Sequence, residues 1–278
     1  MPTGQESGPP PARGHVCRGY RQPQEFVVRA CEFLAEGLAA GERVLYAAPG
    51  APEVLAAQLR AAGPIDEGLR SGAVQIASLD STYTTGIVVD PAAQVRLYAA
   101  ATEEALAAGY TGLRVAADAT RLVRTPAQLD AFTRYEYLVD RYMATHPMSA
   151  MCGYDRGELG DDAVAQLACM HPRADEGSTP FHLHGHPRDD SAAALDGELD
   201  MVAHRLWPLA LERADLRPAE GPVAIDARGL RFIDHRSLLA VADYAEDHDT
   251  TVVLRTSLST PARVLELLNV TNVRVERV

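Results

Sequence analysis

The spacing of apolar residues changes repeatedly between residues 15 and 172. Short apolar runs of the kind that form buried strands are separated by longer segments in which apolar residues recur every three to four positions. The predicted strands are 15–17, 44–48, 74–76, 113–117 and 148–154, and the predicted helices begin at Pro23, Glu53, Pro91, Pro126 and Asp161. Strands that alternate with helices predict an α/β fold, with a mostly parallel sheet covered by helices on both faces.

A second series of short elements follows between residues 181 and 278. The apolar run 223–225 ends on Asp226, a tight turn is predicted at Gly229, and a further short strand covers 230–233. Asp234 stands where a helix N-cap belongs, because its carboxylate can accept the free amide hydrogens of the first helical turn. The other predicted strands are 181–186, 192–195, 251–254 and 273–278, and the other predicted helices lie around 202–211 and 261–268. This pattern predicts a smaller mixed sheet with helices on one side.

Length and composition fit two modest domains. The chain has 278 residues, of which 47% are hydrophobic, so each sheet can have a packed core. We divide the chain into a disordered tail (1–14, rich in proline, glycine and polar residues), a first domain (15–172), a polar linker (173–180) and a second domain (181–278). The four cysteines have no spacing typical of a zinc site or a disulfide framework.

Charge and hydropathy argue against several classes of partner. The formal net charge of -12 argues against nucleic acid, whose binding needs a basic face. No apolar run approaches about 18 residues, the length of a transmembrane helix. No charged-then-apolar leader opens the sequence. We therefore expect a cytoplasmic protein that binds neither nucleic acid nor membranes.

One of two informative strand ends in the first domain resembles a nucleotide-binding motif of RecA-like ATPases. Ligands of parallel sheets bind at the carboxyl ends of the strands, and Asp118 ends an apolar strand as in the second motif of these ATPases. The strand 44–48, however, leads into residues 49–53, PGAPE, which include neither a lysine nor a hydroxyl group for magnesium. We therefore predict a RecA-like doubly covered sheet with a degenerate ATPase site, no enzymatic activity and no catalytic residues.

Six short sequence pieces occur in order along residues 15–172. They are His15-Val16-Cys17-x-x-Tyr20, Phe33-Leu34-x-x-Gly37-Leu38, Gly112-Leu113-Arg114-Val115-x-x-Asp118, Tyr135-Glu136, Cys152-x-Tyr154 and His171. Together they resemble the MEDS domain, the methanogen and methylotroph sensory domain related to the circadian-clock type of RecA-like ATPase. The resemblance implies a sensor of a small molecule, with a hydrocarbon-derived compound as the general suggestion. The candidate ligand-binding residues are His15, Cys17, Tyr20, Arg114, Asp118, Glu136, Cys152, Tyr154 and His171.

Each of these candidates also has a purely structural interpretation. In that interpretation His15 is a hydrogen-bonded core histidine, and the two cysteines of the set are small buried hydrophobes. Arg114 interrupts an otherwise apolar strand, and a buried arginine needs a partner. We expect it to pair with Asp118 or Glu136, whether or not this group of residues binds a ligand.

The second domain has two characteristic pieces, Gly197-Glu198-Leu199-Asp200 and Phe232-Ile233-Asp234-His235-Arg236-Ser237-Leu238. Both resemble the STAS domain, the anti-sigma factor antagonist module, in which an aspartate and a phosphorylatable serine open a helix. The resemblance implies an anti-sigma factor of the serine-kinase type as the partner, with Asp234, His235 and Ser237 as candidate partner-binding residues. The alternative is a homo-oligomeric scaffold subunit of a stressosome-like assembly.

His235 stands where the STAS family has its phosphorylatable serine, and an imidazole offers no hydroxyl group to a serine kinase. Ser237 lies two residues further, about 200° round a helix, so its side chain is expected to point inward or sideways. We therefore predict that a partner kinase does not phosphorylate this helix start and that the first domain controls the output.

Three histidines at alternate positions lie on one face of the predicted strand 181–186. They are His182, His184 and His186. Such a row can bind a metal ion. The comparison with STAS domains instead makes this strand the first of the second domain, with a polar exposed face. We therefore predict no metal site and no cofactor, apart from the possible small-molecule ligand of the first domain.

Overall fold

The computed structural model describes residues 14–84, 86–186, 191–216 and 221–278. The predicted tail therefore lies outside the described residues except for Gly14. The described residues form a six-stranded parallel sheet and a separate five-stranded mixed sheet. This confirms the predicted α/β fold class. None of the helices among these residues is long and apolar enough to cross a membrane.

The N-terminal sheet has the strand order β3-β2-β4-β5-β1-β6. Its strands are β1 (His15–Tyr20), β2 (Arg43–Ala48), β3 (Val74–Ser78), β4 (Leu113–Asp118), β5 (Met148–Asp155) and β6 (Arg173–Ala174). Its helices are α1 (Pro23–Ala39), α2 (Pro52–Ala62), α3 (Asp66–Ser71), α4 (Leu79–Thr82), α5 (Pro91–Ala107), α6 (Pro126–Met143), α7 (Arg156–Leu159) and α8 (Asp161–Ala168). The strand and helix pattern is close to the predicted one. The sequence analysis did not predict α3, α4, α7 and β6, which are all six residues long or shorter.

Local sequence signals explain where the long helices of this part begin. Helices α1, α2, α5 and α6 each have a proline in the first helical turn, where the missing amide hydrogen costs nothing. Asp90 caps α5 through the amide of Ala93. Thr125 and Gln128 form a reciprocal capping box at the start of α6. These caps fix the register of α6, which carries Glu136 into the interior.

The N-terminal sheet has one hydrophobic core on each face. Helices α1 and α2 pack on the first face, where alternate residues of β2, β4 and β5 point, including Tyr46, Ala116 and Met151. Helices α5, α6 and α8 pack on the opposite face against the intervening residues, including Val115 and Cys152. Because side chains alternate along a strand, each strand position is assigned to one core or the other.

The C-terminal sheet has the strand order β11-β10-β9-β8-β7, and β7 is its antiparallel strand. Its strands are β7 (Phe181–His184), β8 (Ala193–Leu199), β9 (Val223–Ile233), β10 (Val252–Thr256) and β11 (Val273–Arg277), and its helices are α9 (Leu206–Ala214), α10 (His235–Asp247) and α11 (Thr260–Leu267). Trp207 of α9, Leu238 of α10 and Leu265 of α11 belong to its core.

The predicted turn at Gly229 is wrong, because residues 223–233 form one continuous strand, β9. The register between β8 and β9 shifts next to Gly229, so the strand absorbs the irregularity without turning. A Cβ at Gly229 would lie 1.5 Å from Oδ1 of Asp196 on β8. The glycine therefore allows the close approach of a neighbouring strand's side chain.

The two sheets share an interface built on α6. Tyr137 of α6 and Cys169 and Met170 after α8 belong to the C-terminal core. The Tyr137 hydroxyl donates a hydrogen bond to the Ala192 carbonyl over 2.7 Å. One face of α6 thus reaches the N-terminal sheet while another reaches the C-terminal unit.

Candidate functional site

Four buried side chains converge inside the N-terminal unit. They are His15 of β1, Glu136 of α6, Cys152 of β5 and His171 in the turn after α8, and we call them the buried cluster. Nε2 of His15 lies 3.1 Å from Oε2 of Glu136 and 3.5 Å from Sγ of Cys152. Oε2 of Glu136 lies 3.7 Å from Sγ of Cys152 and 3.7 Å from Nε2 of His171. All four donor atoms lie within 4.8 Å of one another.

Strand register places the cluster on the face covered by α6 and α8. β1 and β5 are parallel neighbours in which His15 lies opposite Ala150 and Cys17 opposite Cys152. These residues therefore share one face of the sheet. His171 is held from the far side, because its amide bonds to the Ala168 carbonyl and its Nδ1 lies 2.9 Å from the Leu167 carbonyl.

A second layer of polar groups surrounds the cluster. Oδ1 of Asp140 lies 3.3 Å from Nδ1 of His15. The Tyr154 hydroxyl donates a short hydrogen bond to Oε1 of Glu136. The rings of His15 and His171 lie 3.8 Å apart. Nε2 of His171 is buried and makes no hydrogen bond within the described structure.

The cluster holds its ionisable groups far from their ordinary states. Burial alone would lower the pKa of His15, but hydrogen bonds to Asp140 and Glu136 outweigh it and raise this pKa to about 9. Burial alone would raise the pKa of Glu136, but His171 and His15 lower it to about 2. Burial and the nearby His15 lower the pKa of His171 to about 4. Burial, and then the Glu136 charge, raises the pKa of the Cys152 thiol.

An apolar cavity lies directly beside the cluster. Cys152 belongs to its wall, together with Tyr98, Tyr135, Phe132 and Ala150. In the described conformation it has room for about one water-sized molecule. The Cys152 side chain therefore separates a polar centre from an apolar space.

The cluster is joined to the C-terminal unit through two backbone contacts. The amide of Gly185 donates to Oδ2 of Asp140 over 2.6 Å, while the other oxygen of this carboxylate faces His15. Nδ1 of His182 lies 2.7 Å from the His171 carbonyl. A Cβ at Gly185 would lie 2.7 Å from the backbone of Arg141, so glycine is required for this close approach.

The exposed face predicted for His182, His184 and His186 is wrong. Nε2 of His184 lies 2.8 Å from Asp196, and Nε2 of His186 lies 2.9 Å from Asp226. These carboxylates and the contact with the first unit bury most of each ring. Among the described residues, the ring nitrogens of these three histidines do not converge on one point where a metal ion could bind. The packing of the two units, which the sequence does not display, decides their environment.

Other candidates of the first domain lie at a different place. The Tyr20 hydroxyl donates to Oδ2 of Asp118 over 2.9 Å, and Thr120 donates to Oδ1 over 2.8 Å. Burial raises the pKa of Asp118. This site lies at the carboxyl ends of β1 and β4, on the α1 face of the sheet. Cys17 is buried beside the cluster, opposite Cys152, and is not one of its four donors.

The predicted pairing of Arg114 with Asp118 or Glu136 is wrong. Nε of Arg114 donates to Oε2 of Glu42 over 2.6 Å, and Nη1 donates to Glu36 and to the Phe33 carbonyl. Arg114 points to the α1 face, whereas Glu136 lies on the α6 face. Asp118 shares the Arg114 face but lies four residues along the strand, about 13 Å away.

Gly37, from the second of the six sequence pieces, lies on α1 directly against the Arg114 side chain. A Cβ at Gly37 would lie 2.8 Å from Cδ of Arg114. The guanidinium lies 4.7 Å from the centre of the Phe33 ring. The pieces Phe33-x-x-x-Gly37 and Arg114 therefore form one structural centre, separate from the buried cluster.

The loop after β2 is occupied by the protein's own carboxylate. The amide of Gly50 donates to Oδ2 of Asp80 over 2.6 Å. Asp80 also pairs with Arg121. In a phosphate-binding loop such an amide would face a phosphate oxygen, so the carboxylate competes for that position.

The helix start in the C-terminal unit has the predicted cap. Oδ1 of Asp234 accepts the Ser237 amide over 2.8 Å, and Oδ2 lies 2.6 Å from Nε2 of His204. Ser237 is buried, with its hydroxyl donating to the Leu199 carbonyl, which confirms the expected inward orientation. His235 is exposed.

The sequence analysis missed Asp140 and Glu42. A signal for Asp140 was present, because it lies four residues after Glu136 and therefore on the same side of α6. Glu42 directly precedes β2 and carried no motif. Its partnership with Arg114 follows only from the pairing of Val44 with Arg114 across neighbouring strands.

Comparison with known proteins identifies the first of the two units. No curated protein matches the chain. The family model described as "MEDS: MEthanogen/methylotroph, DcmR Sensory domain" matches residues 14–172, which include β1 to α8 and all four members of the buried cluster. The chain therefore belongs to the MEDS family, the family of methanogen and methylotroph sensory domains.

Proposed function

We propose that this chain is a signalling regulator in which the MEDS unit senses a small apolar molecule and the C-terminal unit reports it to a partner protein. The observation that supports this proposal is the position of the Asp140 carboxylate between the two units. One oxygen of its carboxylate faces His15 of the buried cluster, and the other accepts the Gly185 amide at the start of the C-terminal unit. A change at the cluster therefore has a direct route to the second unit.

The cavity beside Cys152 supports an apolar ligand. Its wall is formed by aromatic and aliphatic side chains, and Tyr83 and Gln94 supply polar atoms at one side. A ligand larger than one water molecule requires the cavity to widen. Widening would displace Cys152, and with it the cluster that holds β1, β5 and α6 together.

Signal transmission requires two arrangements of the N-terminal and C-terminal units, and the ligand must bind these two arrangements with different affinity. The contacts of Asp140 and of the His171 carbonyl would differ between these arrangements. Both contacts lie where the C-terminal unit begins. A ligand that leaves these two hydrogen bonds unchanged would transmit nothing.

The C-terminal unit supports a STAS-like output. Its mixed sheet and the Asp234-capped helix α10 agree with the elements that the sequence pattern predicted. Phe232 is 49% exposed directly before this helix start. Met201 and Val202, which follow the neighbouring strand β8, are more exposed still. Apolar side chains around a polar helix start form a surface suited to a protein partner. We infer an anti-sigma factor of the serine-kinase type.

Phosphorylation is not proposed as the control. His235 is the exposed residue at the position of the family's serine, and the Ser237 hydroxyl is buried against Leu199. A kinase cannot reach Ser237 without opening the start of α10. Intact-mass analysis after incubation with the partner kinase and ATP should show no added phosphate. A phosphate mapped to Ser237 would overturn this part of the proposal.

The partner surface can be tested by calorimetric titration of the full chain with the kinase domain of an anti-sigma factor from the same genome. Phe232→Asp should weaken binding at least tenfold. Leu267→Asp is the matched control, because Leu267 is also exposed but lies on α11, and it should bind like the wild type. Equal binding by both variants, or no binding by the wild type, would refute the proposed output. A megadalton particle in light scattering would favour the scaffold alternative.

The N-terminal unit is not proposed to hydrolyse ATP. Asp80 competes for the loop amide of Gly50, and residues 49–53 supply no lysine. Phosphate release by the purified chain should stay at background. Release above background that is lost in Asp118→Asn would contradict this.

A further inference from the structure

The four donor atoms of the buried cluster have the spacing of a metal coordination shell. Bonds of about 2.0–2.3 Å to a tetrahedral zinc-type ion place neighbouring ligand atoms about 3.3–3.8 Å apart. The distances from Nε2 of His15 to Glu136 and Cys152 are 3.1 and 3.5 Å. The distances from Oε2 of Glu136 to Cys152 and His171 are both 3.7 Å. Four of the six tetrahedral edges thus already agree to about 0.2 Å.

The nitrogen atoms are oriented for ligation by their outer contacts. Metal-binding histidines usually donate the other ring N–H to a carboxylate or a backbone carbonyl. His171 has the Leu167 carbonyl at its Nδ1, and His15 has Asp140 at its Nδ1. In the neutral tautomer that carries its proton on Nδ1, each Nε2 atom has a lone pair that faces the centre. Tyr154 holds the second oxygen of Glu136 in the same way.

Two nitrogens of the cluster make no hydrogen bond in the described structure, Nδ1 of His15 and Nε2 of His171, and the second lies 3.7 Å from Oε2 of Glu136. Nε2 of His171 belongs to a residue with no exposed surface, and it makes no hydrogen bond in the described structure. A buried polar atom without a partner is unfavourable, because it has lost its hydrogen bonds to water. An ion at the centre would give this nitrogen a partner. In a purely structural network of hydrogen bonds, this nitrogen would instead be expected to have a partner from the protein.

The donor set selects the class of ion. Two imidazoles, one thiolate and one carboxylate are ligands of Zn²⁺ and of related divalent ions such as Co²⁺ and Fe²⁺, and they do not suit Mg²⁺ or Ca²⁺. The thiolate and carboxylate charges together balance a divalent cation. This balance matters because an uncompensated charge is costly in a site without solvent.

We infer that His15, Glu136, Cys152 and His171 bind one divalent transition-metal ion of the zinc type, with all four positions of a tetrahedron supplied by the protein. Binding releases the thiol proton of Cys152, and any proton on His15, to solvent. The site contains no open position in the described conformation. Its ligands come from β1, α6, β5 and the turn after α8, so the ion would tie these elements together beside the C-terminal unit.

The experiment uses the full chain expressed in minimal medium supplemented with Zn²⁺ or Co²⁺. Elemental analysis should give about one ion per chain. The cobalt form should show a thiolate-to-cobalt charge-transfer band and the visible bands of tetrahedral cobalt. X-ray absorption should report one sulfur ligand together with nitrogen and oxygen ligands. Below about 0.1 ion per chain, or a cobalt site without sulfur, the inference is overturned.

Matched variants locate the ion. Cys152→Ser should lose the charge-transfer band and bind cobalt at least tenfold more weakly. Loss of a residue that only supports a metal ligand already weakens binding by about tenfold or more, so loss of a ligand should cost at least as much. Cys17→Ser is the control, because Cys17 is buried opposite Cys152 on the neighbouring strand but is not one of the four donors. It should keep the band. Equal loss in both variants, or loss in neither, would place the metal elsewhere.

A histidine pair extends the test. His171→Asn should lower metal content, while His146→Asn, on an exposed turn, should not. His182→Asn and His184→Asn should also leave it unchanged. If they alone removed the ion, the strand β7 would be the site and the inference would be wrong. The metal assay needs no partner and no signal, so its failure would leave the proposed signalling role standing, and the reverse also holds.

Discussion

The N-terminal unit contains two buried charged centres that lie on opposite faces of one sheet. In the Arg114 centre, the guanidinium bonds to Glu42, Glu36 and the Phe33 carbonyl and stacks on the Phe33 ring. The buried cluster instead brings together imidazole, carboxylate and thiol groups. Arg114, Phe33 and the four members of the buried cluster all belong to the six sequence pieces of one family, but the chemistry of the two centres is different.

The partners of these two centres distinguish a buried charge that stabilises the fold from one that can take part in ligand binding. Arg114 uses Nε and Nη1 on three acceptors that all come from α1 and the turn after it, and Glu36 is 53% exposed. The buried cluster draws its members from four separate elements and borders a cavity. A pairing that satisfies a charge locally stabilises the fold. A convergence of imidazole, carboxylate and thiol groups from separate elements can instead hold a ligand.

The largest effect is expected for Glu136→Ala. This change removes the carboxylate that His15 and Tyr154 share and leaves the charged imidazole of His15 with Asp140 alone. Truncating one member of a buried ion pair costs about 3–5 kcal/mol of unfolding free energy. Urea unfolding followed by circular dichroism, with EDTA present, measures it.

The control for this variant is Glu103→Ala on the exposed side of α5, which should change stability by less than about 0.5 kcal/mol. A loss below about 1 kcal/mol for Glu136→Ala would mean that the carboxylate is solvated. The cluster would then not be the tightly coupled centre described here. The loss does not test Arg114, because its partners lie on the other face.

The second effect is the pH dependence of stability in metal-free protein. The pKa of His15 is raised from 6.5 to about 9 in the folded state, so its contribution is complete below pH 6.5 and disappears by about pH 9. The pKa of His171 is lowered from 6.5 to about 4, so its contribution is complete above pH 6.5 and disappears as pH falls. Stability should therefore peak near pH 6.5.

The alkaline side of this profile belongs to His15 and amounts to about 3 kcal/mol between its two pKa values. Urea midpoints measured across that range give the slope. Asp140→Asn removes one carboxylate that raises the pKa of His15, so it should shift the alkaline loss to lower pH. A flat wild-type profile from pH 6.5 to 9 would show that His15 is neutral in the folded protein.

A smaller effect is expected for Arg114→Lys. Lysine keeps a positive charge near Glu42 but cannot also bond to the Phe33 carbonyl and stack on its ring. The expected loss is about 2 kcal/mol in the same unfolding assay. Arg96→Lys, on an exposed face of α5, serves as the matched control. Equal stability of the two variants would mean that the fork geometry of Arg114 contributes nothing.

The smallest effect is expected for Glu36→Ala. Glu36 is the exposed partner of Arg114, and exposed ion pairs contribute at most about 1 kcal/mol. The difference from wild type should shrink further at high salt. A loss similar to that of Glu136→Ala would erase the distinction between the two centres, because it would make the exposed half of the Arg114 centre as important as a buried pair.

The order of elements in the N-terminal unit could be predicted from the sequence. Prolines and caps mark the starts of α1, α2, α5 and α6, and apolar periodicity separates strands from helices. The predictions failed at short elements such as α3, and at Gly229, where glycine allows a close contact within a continuous strand. Short elements bury few residues, so their pattern is too weak to distinguish them from turns.

The membership of the candidate site was only partly predictable. His15, Glu136, Cys152, Tyr154 and His171 were all named from the sequence pieces, and the structure brings them together. Arg114 was named with them but lies on the other face. Because side chains alternate along β4, the sequence predicts that Arg114 and the residue after it point to opposite faces of the sheet. It does not predict which helix covers which face.

The sequence by itself determined the α/β class, the family of the first unit and the capped start of α10, and it limited Ser237 to an inward or sideways orientation. These follow from periods of two and 3.6 residues and from local hydrogen bonds. Only the tertiary structure decided that Glu42 pairs with Arg114, that Asp140 joins the buried cluster to Gly185, and that the histidines of β7 are covered. The first two contacts join residues 45 or more positions apart, and the third depends on how the two units pack. Packing fixes both, and no short stretch of sequence carries that information.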